Sequence, residues 1–368
     1  MLMRTAVVAL FIGLVTLQFA SAAELPPAEP ALRDATEKPA EWWKSDEGKK
    51  LADNIVSWQN PEGGWWKTYD PKIGRPAELV RPGPTGGDDW ESVSTFDNSA
   101  TYTEIRLLAR AYAATKDDKY KQAFDRGLKF VFDAQYPSGG WPQRFPLQDN
   151  YGRHITFNDK LMSSILTLVS DVAGGKDEFA FVDDANRKRA KESFDRGVDC
   201  ILKMQIKNPA GELTGWCQQH DAKTLAPASA RAYELPSIAS FETADIVLVL
   251  MRIEKPDDRV RQAIAAATKW FEKSQIRGKK YELIRDKSLK FGVDRRLSDD
   301  PSAGPLWARF YEIETNKPMF ADRDGVKRYN LSEVGEERRA KYAWYGTFGE
   351  KVLSEYPKWA KRVGAAAK

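Results

Sequence analysis

The sequence predicts a mainly α protein built from repeated αα hairpins that curl into an α/α toroid. The first observation behind this is a repeat. Glutamines that close helical stretches recur at Gln59, Gln135, Gln205 and Gln275, at intervals of 76, 70 and 70 residues. The loops after the first three carry Trp65, Trp141 and Trp216, at intervals of 76 and 75. A period near seventy residues is two helices plus loops, and hairpins that each leave an apolar face open must stack to close a core. The second observation is that apolar residues between the loops keep i, i+3, i+4, i+7 spacing, with no convincing run of alternating strand residues among them.

Along the chain, residues 1–22 read as an export leader. Arg4 gives the positive start, Ala6 to Phe19 the apolar run, and Ala20-Ser21-Ala22 the small-residue cleavage pattern. The expected address is secreted or periplasmic, with cleavage near Ala22. Residues 23–40, rich in proline and charge, read as a tether, and residues 41–368 as a single domain. A helix is expected over 41–58, then the loop QNPEGGWWKTY, then a long Gly/Pro loop from Pro76 to Asp88-Asp89-Trp90. The next stretch, TFDNSATYTEIRLLARAY from Thr95, sets Asp97 and Asn98 at the mouth of a helix packing Ile105, Leu108, Ala109 and Tyr112. Further helices are expected over 119–135, 159–173, 184–206, 237–253 and 257–275. If the hairpins are antiparallel, one rim collects the GGW loops, Asp97-Asn98, Asn158-Asp159 and the segments around Arg231 and Arg295.

Composition narrows the chemistry. With 57 Lys and Arg against 53 Asp and Glu, the formal charge is +4, which does not describe a nucleic-acid binder but leaves room for a local basic patch facing an acidic partner. No run after the leader is long and apolar enough to span a bilayer. Two histidines, His154 and His220, exclude a mechanism built on several. Nucleophile-elbow, CxxC, phosphate-loop and EF-hand patterns are missing from the sequence. Cys200 and Cys217 suit either a bridge or two buried thiols. Twelve tryptophans and 13 tyrosines favour a sugar-binding surface, with the tandem Trp65-Trp66 expected to face solvent.

Carboxylates, asparagines and arginines remain, and two chemistries use them. Paired carboxylates hydrolyse a glycosidic bond; alternatively Asp97, Asn98 and Asp159 supply oxygen ligands for a hard cation, typically calcium. Plainer readings stand beside both: Asp97 as a helix N-cap, and Arg231 paired with Glu234 or Glu242.

The segments TFDNSATYTEI from Thr95, QYPSGGWPQ from Gln135, ITFNDKLM from Ile155, ARAYELPSIAS from Ala230, GPLWARFYEI from Gly304 and KYAWYG from Lys341 occur in one order. Together they make the chain resemble the pectate lyases of polysaccharide lyase family 10, from about Trp42 to Tyr345. The resemblance implies an α/α toroid and calcium-dependent cleavage of polygalacturonate (pectate) by β-elimination, leaving 4,5-unsaturated oligogalacturonates. It implies that Asp97, Asn98 and Asp159 bind Ca2+, and that Arg231 is the base for the C5 proton. Arg295 and Arg309 are implied to grip substrate carboxylates, with Trp141 and Tyr233 as further substrate contacts. An arginine base implies an alkaline optimum. A monomer acting without nucleic acid or membrane is expected. A toroidal glycoside hydrolase and a non-catalytic binder of acidic polysaccharide are the alternatives.

Overall fold

The computed structural model describes residues 29–77, 79 and 93–364. The leader, its cleavage site and the Asp88-Asp89-Trp90 end of the long loop lie outside those residues. Ten α-helices occur among the described residues: α1 (Glu29–Thr36), α2 (Asp46–Trp58), α3 (Tyr102–Thr115), α4 (Asp118–Asp133), α5 (Leu161–Gly174), α6 (Asp184–Met204), α7 (Ser240–Leu250), α8 (Asp258–Lys273), α9 (Glu336–Lys341) and α10 (Glu350–Arg362). The helix starts follow local chemistry. Ser45, Asp117, Asp183 and Asp257 each accept a backbone N–H from the first turn of α2, α4, α6 and α8.

The hairpins α3–α4, α5–α6 and α7–α8 pack as expected, and α3, α5 and α7 neighbour one another in that order. Their N-terminal mouths therefore gather on one rim, and the fold is a mainly α toroid. The α4 stripe of Tyr120, Phe124, Leu128 and Val131 is buried as its spacing requires. Residues 23–40 are not a free tether throughout. Helix α1 sits within them, and its Leu32 and Ala35 belong to the main core.

The repeat is held by the same bonds each time. The Nε2 of Gln59 donates to the carbonyls of Gly63 and Ala123, and Gln135 does the same to Gly139 and Ser193. Gln205 repeats the pattern with Thr214 and Ala263. Each glutamine thus closes its own loop and ties it to the helix one hairpin on. The indole N–H groups of Trp65, Trp141 and Trp216 donate to Ile55, Val131 and Ile201 carbonyls of the preceding helix. Gly63 and Gly139 both take φ 103°, and a Cβ at either would lie 2.3 or 2.1 Å from the carbonyl oxygen of Arg126 or Arg196.

The tryptophans of these loops are core residues, which corrects two expectations. Trp65 and Trp66 are 0% and 1% exposed rather than solvent-facing, and Trp141 is 0% exposed, so it offers no face to a sugar. The reason is a glycine on the facing helix. Gly127 lies against Trp65 and Gly197 against Trp141, so close that a Cβ would stand 3.2 and 3.0 Å from the ring.

Short strands join the loops. β1 (Ile155–Thr156), β2 (Gln219–His220) and β3 (Pro227–Ala228) form one antiparallel sheet, with Ile155 opposite His220. β4 (Ile238–Ala239) begins another that includes β8 (Phe310–Tyr311), β9 (Pro318–Ala321) and β10 (Lys327–Arg328), while β7 (Trp307–Ala308) pairs with β11 (Tyr345–Gly346). A longer hairpin, β5 (Lys279–Arg285) with β6 (Val293–Asp299), was not expected from the sequence pattern. Cys200 and Cys217 are both buried and free. Among the described residues no helix is long and apolar enough to cross a membrane.

One buried acid gives the fold a pH dependence. Glu104 of α3 is 0% exposed; its Oε1 accepts the Tyr69 hydroxyl at 3.0 Å, and its Oε2 has no hydrogen-bond partner among the described residues. Burial pushes this carboxyl from 4.5 up to about 7, against the pull of its hydrogen bonds. Between those pH values the unfolded chain releases the proton while the folded chain keeps it, so stability falls as pH rises through that window, by about 3 kcal/mol at most. Glu104→Gln should therefore match the wild type near pH 5 and melt higher than it at pH 8. Melting curves with the same difference at both pH values would contradict this.

Candidate active site

The rim is assembled by one backbone device used three times. The N–H groups of Thr95, Thr156 and Ala239 donate to the carbonyls of Trp65, Trp141 and Trp216. The next N–H groups, of Phe96, Phe157 and Ser240, donate to the carbonyls of Gln143, Gln218 and Arg309. Gln143 and Gln218 stand two residues after Trp141 and Trp216. Arg309 stands two after Trp307, whose indole N–H donates to the Phe271 carbonyl and so makes it the fourth member of the set. Lys67 holds the same place after Trp65.

This alignment sets the register between the two mouths. Phe96-Asp97-Asn98 matches Phe157-Asn158-Asp159, so the equivalent of Asp97 is Asn158, and Asp159 is the equivalent of Asn98. Both Asn98 (φ 48°, ψ 45°) and Asp159 (φ 51°, ψ 34°) occupy the left-handed region, within one-turn helices ahead of α3 and α5. Asn and Asp tolerate that conformation better than other non-glycine residues, though at a cost, and such strain clusters where function needs it. The carboxylates are not caps. The N-cap positions of α3 and α5 are Thr101 and Lys160, and neither helix has a side-chain cap.

The result is a cleft of about 630 Å³ whose walls include Asp97, Asn98, Asp159, Arg231 and Tyr233, five of the residues singled out in the sequence. It also includes Glu234, weighed from the sequence only as a partner of Arg231, and Lys67, Gln143, Tyr151 and Arg323, which sequence reasoning passed over. Asp97 is 5% exposed; its two oxygens accept from Lys67 Nζ at 3.1 Å and Gln143 Nε2 at 3.0 Å. Asp159 is open to the cleft and walled by protein elsewhere. Desolvation first, and the Asp97 charge second, push its carboxyl up to about 6, against the pull of Arg309 and Arg231.

Arg231 lies across the Tyr233 ring at 4.9 Å and forms a two-pronged pair with Glu234, Nε to Oε2 at 2.8 Å and Nη2 to Oε1 at 2.5 Å. The Arg231–Glu234 pairing considered from the sequence is therefore present. Tyr342 donates its hydroxyl to the same Glu234 at 2.9 Å. Burial lowers the Arg231 pKa, but the Glu234 carboxylate together with Tyr233 and Tyr342 outweighs it, and the net direction is up. Tyr233 is the shelf for this arginine, and Arg338 also covers its ring, at 4.7 Å.

Two expected contacts stand elsewhere. Arg309 lies behind the cleft wall, its Nη2 2.5 Å from Glu242 Oε1 and 3.5 Å from Asn158 Oδ1, with Phe241 under its guanidinium. Arg295 is on β6, 5.6 Å above the Tyr281 ring, and does not line the cleft; Arg296, on the opposite face of the strand, pairs with Glu282. His220 is buried, its pKa pushed down to about 4, and His154 is also held below the ordinary histidine value by burial, so neither is a ready cation in the cleft.

The donor set suits a hard cation. Among the described residues no three His, Cys, Asp or Glu side chains gather as a metal cluster. A cation held here would take Asp97 and Asp159 together with an amide oxygen such as that of Asn98, with positions left for water or an anionic ligand. Buried oxygens without partners, Gln143 Oε1 and Gln218 Oε1 among them, stand beside the two mouths. An acid whose pKa is raised by a second acid gains most from a cation placed between them.

Comparison with known proteins agrees with this geometry. A family model described as pectic acid lyase matches residues 59–353. A solved family 10 polysaccharide lyase from Cellvibrio cellulosa is 33% identical, with a TM-score of 0.72, covering 92% of this chain and 96% of its own. A point mutant of the family 10 lyase from the same organism, solved in complex with trigalacturonic acid, is 32% identical, with a TM-score of 0.71, covering 90% and 98%. No curated protein matches the chain. The hydrolase and the non-catalytic binder thereby give way to a lyase: this chain belongs to the pectic acid lyases of polysaccharide lyase family 10.

Proposed function

We propose that the chain is a calcium-dependent pectate lyase that cuts polygalacturonate by β-elimination with Arg231 as base. One observation carries the reading. Carboxylates from two repeats, Asp97 and Asp159, share a cleft whose other walls bear Lys67, Arg231 and Arg323. Acids for a cation, set among cations for a polyanion, match a substrate with one carboxylate per sugar. The trigalacturonate complex of the solved relative supports the same substrate class here.

Asp97, Asn98 and Asp159 would hold the calcium, which when bound draws charge from the substrate carboxylate and so acidifies the proton α to it. Lys67 and Arg323 hold neighbouring carboxylates of the chain in place. Arg231 takes the proton from C5. The C5–H electron pair becomes the C4–C5 double bond, and the C4–O bond breaks with its electrons on the departing oxygen, which takes up a proton. No water is consumed, and the new end is an unsaturated uronate. The leader pattern of residues 1–22 supports an exported enzyme, released near Ala22 and acting on a polymer too large to enter a cell.

The direct assay is incubation with polygalacturonate, with and without a calcium chelator, followed in the near ultraviolet. Calcium-dependent growth of the unsaturated product is the expected result. Reducing ends without that absorbance would mean hydrolysis, and product formation untouched by the chelator would remove calcium from the account.

The base assignment has its own test. The Glu234 carboxylate favours protonated Arg231, so its removal must lower that pKa and enlarge the neutral fraction at a given pH. Glu234→Gln should move the alkaline limb of the rate profile about 1–3 pH units toward neutrality, while Arg231→Ala abolishes turnover and leaves trigalacturonate binding largely intact. A limb that stays in place in the Glu234→Gln enzyme would make Arg231 a bound cation rather than the base.

A further inference from the structure

The four positions two residues after the repeated tryptophans, Lys67, Gln143, Gln218 and Arg309, form a row along the helix mouths. Gln143 donates to Asp97, and Gln218 donates to Asn158 Oδ1 at 2.6 Å. The cations stand at the two ends, and their situations differ. Arg309 is 11% exposed in its side chain and locked against Glu242, which is fully buried. Lys67 is 21% exposed, lines the open cleft, and shares Asp97 Oδ2 at 3.1 Å. Arg309 therefore neutralises a carboxylate with no other task, whereas Lys67 neutralises one that the calcium site would need.

We infer that Lys67 is the resident counter-ion of Asp97 and couples calcium binding to substrate binding. The inference rests on the reading of this cleft as a calcium site for galacturonate chains. A half-buried ammonium sharing Asp97 with a divalent cation meets like-charge repulsion across a poorly solvated gap, so Lys67 weakens calcium binding in the empty cleft. A substrate carboxylate changes this. It offers the flexible ammonium another acceptor within reach of the same cleft, frees Asp97 for the metal, and becomes fixed by Lys67 in turn. Lysine suits the task because its point charge and long stem let it change acceptor, where the forked, packed Arg309 cannot. By linkage the two ligands must raise each other's affinity through this residue.

Calorimetric calcium titration of the whole protein, with and without trigalacturonate, tests the coupling. In the wild type the trimer should tighten calcium binding. Lys67→Met should bind calcium about tenfold more tightly than wild type without the trimer and gain less from adding it, and Lys67→Arg should keep the wild-type pattern. A substrate-free Lys67→Met protein with wild-type or weaker calcium affinity overturns the inference while leaving the calcium reading intact. Wild-type protein that binds no calcium even with the trimer overturns both. The side-chain ammonium resonance of Lys67 in the wild type gives a readout independent of any variant's folding. It should shift on adding calcium and trimer together, and a resonance that stays put also overturns the inference.

Discussion

The structure depends on one small backbone device, in which the residue before each helix mouth donates its N–H to the tryptophan carbonyl of a preceding loop. The next N–H then binds the residue two places beyond the following tryptophan. Each mouth is clamped between two loops, one from its own hairpin and one from the next. The indole N–H bonds and the glutamine amides fix those loops to their helices, so the mouths inherit the rigidity of the core rather than the mobility of connecting chain. Sites placed on such mouths are held by helices on every side, although they lie at a surface.

This clamp explains why the chemistry of the site is so unevenly distributed around the toroid. Each mouth offers the same two positions, filled by Asp97 and Asn98 in the first and by Asn158 and Asp159 in the second. The swap of acid and amide brings one carboxylate from each mouth to the cleft without placing two acids side by side in sequence. At the third mouth, α7 starts directly at Ser240, and the matching residue, Glu242, is buried in an ion pair with Arg309. Burial raises the Glu242 pKa and Arg309 draws it back down. The third repeat thus places a buried ion pair behind the cleft wall, where the first two place a carboxylate in the cleft. Arg231 stands apart from the repeat, on the segment between β3 and β4, where Glu234, Tyr233 and Tyr342 set its position and keep it a cation until something in the cleft changes.

Much of this was legible in the sequence because helical repeats advertise themselves. The period of the glutamines and tryptophans, the helical spacing of Tyr120, Phe124, Leu128 and Val131, and the TFDN and TFND segments located the hairpins and the carboxylates of the cleft. The misses have physical causes. A tryptophan after Gly-Gly resembles a sugar platform, and only the facing Gly127 and Gly197 reveal that the ring is swallowed by the neighbouring helix. Asp97 looked like a cap because it stands just ahead of a helix, yet the left-handed turn at Asn98 delays the helix to Tyr102 and turns the carboxylate toward Lys67. Trp307 escaped the period because the β5–β6 hairpin lengthens its repeat. That hairpin was itself hidden, since KKYELIR and VDRRLSD are dense in charge and half exposed on both faces. Lys67 carries no motif of its own, and only the fold shows what it touches.

The central claim is that Asp97 and Asp159, from two different repeats, serve one cation. Calcium titration of Asp97→Asn and Asp159→Asn in the presence of trigalacturonate tests it most directly. The account predicts that each substitution alone weakens calcium binding at least about tenfold, because each removes a charged ligand of the same ion. Wild-type calcium affinity in either variant would contradict it.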